Sequence, residues 1–158
     1  MILSIDPGNV VSAYCFISGR DYKPLAFDIV ENDKLLEIIK EKQEFIDSAA
    51  IEMVASYGMA VGKTVFDTCV WIGRFTQQLI SLERNISVEF IYRKDEKMNL
   101  CHSMKAKDSN IRQALIDRFG IVGTKNNQGW FYGFKKDIWS AYAVGVTYLD
   151  KLKKKERC

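Results

Sequence analysis

The stretch that decides the fold is residues 1–31, MILSIDPGNVVSAYCFISGRDYKPLAFDIVE. Its apolar runs at 2–5, 10–17 and 24–30 are rich in β-branched and aromatic residues, and the intervening PGN and SGRDYK are turn formers. Short runs punctuated in this way read as strands joined by hairpins. The chain is therefore expected to open with a three-stranded antiparallel meander.

Outward from the meander, ENDKLLEIIKEKQEF (31–45) sets Leu35, Leu36, Ile38, Ile39 and Phe45 among charges at helical spacing. SAAIEMVA (48–55) is a nearly unbroken apolar run, the pattern of a parallel strand covered on both faces. Segment 64–82 carries Val65, Phe66, Cys69, Val70, Ile72, Phe75, Leu79 and Ile80, so the helix it predicts is apolar around much of its circumference and must be sandwiched or meet a partner chain. ISVEFIY (86–92) is a further strand, followed by a basic linker. DSNIRQALIDRFG (108–120) then has an Asp or Ser N-cap and a Gly stop, the marks of a short helix. After the loop GTKNNQG (123–129), DIWSAYAVGVTYLDKL (137–152) lines Ile138, Ala141, Tyr142, Gly145, Tyr148, Leu149 and Leu152 along one helical face. A meander followed by strands reached through helical crossovers predicts an α/β fold with a mixed sheet flanked by helices.

A chain of 158 residues, 47% of them hydrophobic, suits one domain over 1–158, with a basic tail over about 151–158. No apolar run approaches the ~20 residues of a membrane helix, and ILSID follows Met1 with no basic n-region, so a cytoplasmic protein that does not engage membranes is expected. Cys15, Cys69, Cys101 and Cys158 form no CxxC, and the single histidine, His102, leaves no zinc-like set, so free thiols are expected. The net charge of +3 hides an asymmetry. Residues 1–91 hold 8 Lys and Arg against 13 Asp and Glu, a net of −5, whereas residues 92–158 hold 15 against 7, a net of +8. The basic half points to a polyanionic partner.

Three carboxylates stand out. Asp6 ends the first strand just before the sharp turn of Pro7, Gly8 and Asn9, and Glu52 lies inside an apolar strand where an ionised carboxylate is costly without compensation. Asp137 opens the last helix, where the helix dipole favours negative charge. Such residues can converge at one sheet edge, and hard oxygen ligands of this kind suit Mg²⁺ or Mn²⁺. Two such ions about 4 Å apart activate water and stabilise the leaving oxygen of a phosphodiester. A phosphate loop is not supported, because VGKT (61–64) is only a fragment of a P-loop.

ILSIDPGNVVSAYCFI, AIEMVASYGM with the following GKTVFDTCVWIGRF, KAKDSNIRQALIDRFG and KKDIWSAYAVGVTYLD together resemble the RuvC-type Holliday-junction resolvases of the RNase H-like superfamily, especially their short phage forms. The resemblance spans most of the chain. It implies a dimeric, metal-dependent endonuclease for branched DNA, acting in recombination and repair in a bacterial or phage-infected cell. The family's metal-binding acids fall here on Asp6, Glu52 and Asp137. Lys105, Lys107 and Arg112 match a part of the pattern that touches DNA phosphates, with Lys125, Lys135 and Lys136 as further basic candidates. Two departures are visible. The bacterial pattern has a second acid three residues into the last helix, where this chain has Ser140, a residue suited to fixing a metal-bound water. The aromatic that follows the central-strand acid is replaced in register by Ala55, leaving Tyr57 or Met59 as candidate junction wedges. The alternative reading is a non-catalytic, structure-selective DNA-binding protein of the same fold, which Ser140 favours.

Overall fold

A computed structural model describes residues 1–56, 58 and 60–157. Strands β1 (Ile2–Asp6), β2 (Val11–Ile17) and β3 (Pro24–Glu31) form the expected meander. Helix α1 (Asn32–Lys42) and a 3₁₀ turn (Gln43–Phe45) lead into β4 (Ser48–Met53), and α2 (Lys63–Ser81) leads into β5 (Ser87–Tyr92). Helices α3 (Arg93–Cys101), α4 (Asp108–Phe119) and α5 (Ile138–Glu156) complete the chain. The sheet order is β3-β2-β1-β4-β5, antiparallel through the meander and parallel from β1 to β4 and from β4 to β5. None of the helices among the described residues is long and apolar enough to cross a membrane.

Alternation along the strands divides the core in two. Leu3, Ile5, Phe16, Ala49 and Ile51 face α1 and α2, where Leu35, Ile39, Ile72, Phe75 and Leu79 are buried. Ala13, Cys15, Ile17, Ala50 and Ile91 face α5. Helix α5 lies so close to the sheet that a Cβ on Gly145 would stand 2.3 Å from Ile17 Cδ1 and 2.8 Å from Ser4 Oγ. A Cβ on Gly19, just beyond the far end of β2, would stand 4.0 Å from Leu149 Cδ2. The helix thus runs against the direction of β1, and its N-terminus lies over the edge where β1 ends.

Three expectations need correction. The segment read as a basic linker is helix α3, held at its start by the Tyr92 N–H donating to Asp95 Oδ2 at 3.1 Å. Its apolar content is low and its most buried side chain is Glu96, so hydrophobic periodicity could not reveal it. Helix α4 is capped in reverse to the Asp or Ser expectation, with the Lys107 N–H donating to Asn110 Oδ1 at 2.8 Å. Phe45, counted on the apolar face of α1, lies in the 3₁₀ turn and is exposed. The basic residues 151–155 lie within the final turns of α5.

Because Gly145 leaves no room for a side chain, Gly145→Val should destabilise the protein by roughly 1–3 kcal/mol or more. Denaturant unfolding followed by circular dichroism checks this, and an unchanged midpoint would contradict the close contact of α5 with β1.

Candidate metal site and phosphate-binding cleft

The site begins with strand register. Ile5 pairs with Ile51 across the parallel β1–β4 ladder, so Asp6 and Glu52, each one residue further on, emerge side by side at the C-terminal edge. Both lie on the face shared with Ser4 and Ala50, the side covered by α5. Their carboxyls lie close enough for each to shift the other's titration. Burial, reinforced by Glu52 and Asp137, pushes Asp6 up to about 8. Burial also raises Glu52, opposed by Arg93 and by Asp6. The arrangement is a carboxylic acid on Asp6 beside a carboxylate on Glu52, as expected when two like charges are crowded together.

The turn after Asp6 is pinned by polar contacts. The Gly8 N–H donates to Ser12 Oγ at 3.1 Å, Ser12 Oγ donates to Asn32 Oδ1 at 2.6 Å, and Asn32 Nδ2 donates to the Gly8 carbonyl at 2.9 Å. A Cβ on Gly8 would stand 2.2 Å from the Val11 carbonyl oxygen, so only glycine fits there. Asp137 sits at the N-cap of α5 and is exposed, close enough for its charge to act on both Asp6 and Glu52. Lys136 before it takes a left-handed backbone, φ 44°, which bends the chain into the helix. The structure therefore brings the three predicted acids to one sheet edge.

Beside them lies a cleft of about 360 Å³ lined by residues that include Arg93, Asp108, Arg112, Lys136, Asp137 and Ser140. Arg112 lies with its guanidinium 4.5 Å from the centre of the Trp139 ring. Of the predicted basic residues, Arg112 and Lys136 reach this cleft. Lys105 lines a separate small cavity with Cys101, Ser103, Ala106 and Asn110, Lys107 is the exposed cap of α4, and Lys125 and Lys135 are exposed. Ser140 is half-buried on the cleft wall one turn beyond Asp137. Tyr57 and Met59 lie outside the described residues.

Sequence reasoning missed two site residues, Glu96 and Asp108, and noted Arg93 only as one member of a basic run. Arg93 Nη1 donates to Glu96 Oε2 at 2.6 Å, and its Nη2 donates to Asp108 Oδ1 at 2.5 Å. Burial, together with the charges of Glu52 and Asp6, pushes Glu96 up to about 9, although Arg93 acts the other way. The legible signal was the i, i+3 spacing of Arg93 and Glu96 directly after a strand that neighbours β4.

The donor set fits a divalent cation in kind, because crowded carboxyl oxygens on a half-buried sheet edge carry negative charge that a hard cation relieves. Among the described residues, however, no three His, Cys, Asp or Glu side chains are grouped tightly enough to hold an ion as they stand. Coordination would therefore require these side chains to draw closer, with Asp6 giving up its proton.

No family model matches the chain, and no curated protein matches it in sequence. Solved structures do. Thermus thermophilus RuvC in complex with a Holliday junction substrate superposes with a TM-score of 0.71 at 13% identity, covering 97% of this chain and 94% of that one. A second T. thermophilus RuvC structure gives 0.70 at 14% identity, covering 97% and 95%. The yeast mitochondrial Holliday junction resolvase gives 0.60 at 13% identity, covering 97% and 82%. The mixed sheet and its flanking helices are thus an RNase H-like fold. Within that class the chain has the fold of the RuvC-type resolvases.

The raised Asp6 has a stability consequence whose sign is definite. A carboxyl that binds its proton more tightly when folded stabilises the fold at low pH and loses that stabilisation as pH rises from about 4 to about 8. In chelator at pH 8, Asp6→Asn should raise Tm by about 5 °C or more, and the gain should vanish near pH 4. Thermal scans across pH check this. A Tm equal to or below wild type at pH 8 would contradict the burial of this carboxyl.

Proposed function

We propose that this protein is a metal-dependent endonuclease that hydrolyses phosphodiester bonds in branched DNA, of the Holliday-junction-resolving type, acting as a homodimer. The observation that carries this reading is the meeting of Asp6, Glu52 and Asp137 at one sheet edge beside a cleft walled by Arg93, Arg112 and Lys136. The shared fold with the RuvC of T. thermophilus, seen elsewhere in complex with a Holliday junction substrate, supports the class of nucleic acid.

Asp6, Glu52 and Asp137 would hold Mg²⁺ or Mn²⁺ in a two-ion site, with Ser140 placed to fix a coordinated water. A pair of such ions supplies water activation at neutral pH and charge neutralisation on the phosphodiester. The chain's own groups do the rest. Arg112, stacked on Trp139, and Lys136, held at the mouth of α5, grip the backbone phosphates flanking the cut. Phosphate contacts of this kind orient the duplex without reading sequence. Dimerisation would use α2, where Phe66 and Val70 are 59% and 61% exposed one helical turn apart. A two-fold protein matches the paired arms of a four-way junction.

The second reading, a non-catalytic DNA-binding protein of the same fold, is favoured by Ser140 and by the lack of a tightly grouped ligand set among the described residues. Incubating the protein with four-way junctions, forks, flaps and D-loops, in Mg²⁺ and in Mn²⁺, separates the two. Cleavage supports the nuclease, and binding without cleavage in either ion supports the alternative.

In the same assay, Asp6→Asn and Glu52→Gln should each lower cleavage at least a hundredfold while leaving junction affinity within about threefold. Arg112→Ala and Lys136→Ala should weaken binding and reduce its salt slope by about one each. An unchanged slope would remove these side chains from the DNA contact. Val70→Asp should convert a dimer to a monomer in sedimentation at micromolar concentration, and a wild type that is already monomeric would defeat the dimer.

A further inference from the structure

Glu96 is the least expected side chain in the molecule. It lies in the first turn of α3, the helix that starts immediately where β5 leaves the sheet, and β5 pairs with β4 so that Ile91 stands opposite Glu52. Its side chain is completely buried. One oxygen, Oε2, accepts the hydrogen bond from Arg93, but the other, Oε1, is buried with no partner among the described residues. A carboxylate oxygen buried in that condition is costly, the more so if charged, and such exceptions call for an explanation. Neutralising Arg93 does not supply one. Arg93 already has Asp108 on its other nitrogen and needs only one oxygen of Glu96. The side chain is also near enough to Glu52 and Asp6 for their charges to act on it, so it belongs to the same acidic edge.

Position 140 holds a serine, so the last helix contributes a single acid to that edge. We propose that Glu96, through its free Oε1, is a further carboxylate ligand of the divalent-ion site, supplying from α3 the donor that Ser140 does not supply from α5. Arg93 then holds Glu96 in place through the opposite oxygen, as ligating carboxylates are commonly held by a second hydrogen-bonded group. The inference rests on the metal-dependent reading above and deepens it.

The test is Mn²⁺ binding to the intact chain without DNA, measured by isothermal titration calorimetry and by electron paramagnetic resonance of the free ion. Glu96→Gln keeps the size of the side chain and an oxygen for Arg93. It should weaken Mn²⁺ affinity at least tenfold, and adding Ser140→Asp to it should recover a substantial part of that loss. A merely structural Glu96 would lower Tm in chelator but leave Mn²⁺ affinity at the wild-type value, and that result overturns the proposal. If Glu96→Gln does not fold, Glu96→Asp carries the same test. It keeps the charge beside Arg93 but withdraws it by one methylene, and wild-type Mn²⁺ affinity in that variant is equally fatal. Glu52→Gln is the reference. If it weakens Mn²⁺ binding while both Glu96 variants do not, only the role of Glu96 falls. If the wild type itself binds no Mn²⁺ at millimolar concentration, the metal-dependent reading falls with it.

Discussion

The parallel pairing of β1 with β4 places Asp6 and Glu52 in adjacent register at the end of two central strands, and much of the structure is arranged around the consequence. Two carboxyls crowded together on a half-buried edge repel one another unless a proton or a cation lies between them. The surrounding elements concentrate charge there. Helix α3 brings Arg93 and Glu96, α4 brings Asp108, and α5 presents Asp137 at its N-terminus. The unfavourable edge is tolerated because both faces of the sheet behind it are densely covered. Leu3, Ile5 and Ile51 have no exposed surface on one side, nor do Cys15, Ala50 and Ile91 on the other.

Asp137 depends on a second device, because a loop of nearly twenty residues separates α4 from α5. Aromatic packing restrains it. Trp130 stacks on Phe119 at 5.5 Å, Phe131 and Phe134 pack edge-on against Tyr142, and Trp139 joins the same cluster. Trp130 Nε1 donates to the Tyr142 hydroxyl at 3.1 Å, which in turn donates to the Tyr22 carbonyl at 2.8 Å. The hydroxyl of a buried tyrosine thus ties the loop to the meander. The cleft wall carrying Lys136 and Ser140 inherits its rigidity from this packing, which is the kind of support a site needs to hold phosphates in a fixed position.

The meander, the inner strand and the three acids as candidates were legible because each depends on local pattern. Alternation and turn residues mark the meander, SAAIEM is too apolar to be anything but an inner strand, and a polar residue inside it is conspicuous. Helix α3 was not legible for a physical reason. Its sequence, RKDEKMNLC, has only Leu100 and Cys101 packed against the core, and its buried side chain is Glu96, paired with Arg93, so it shows no hydrophobic period. The basic residues were readable as a set but not as individuals. Lys105 lies before α4 and lines a separate cavity, whereas Arg112 is on α4 and reaches the cleft, its direction set by Ile111 and Leu115 buried against the core.

The same selection explains how a basic half can serve a polyanion. Several of its cations are spent internally. Arg118 makes two bonds to Asp150, at 2.7 and 2.8 Å, Lys151 reaches Glu89, and Arg93 is shared by Glu96 and Asp108. Lys105, Lys107, Arg112, Lys125, Lys135 and Lys136 make no salt bridge among the described residues. On the proposed function these are the charges free to displace the counterions of a phosphate backbone, and two of them, Arg112 and Lys136, line the cleft beside the acidic edge. On the proposed function, a phosphodiester at that border would meet cations on its outer oxygens and carboxyls on its other side. Such a separation of roles would let affinity and chemistry be altered by different residues.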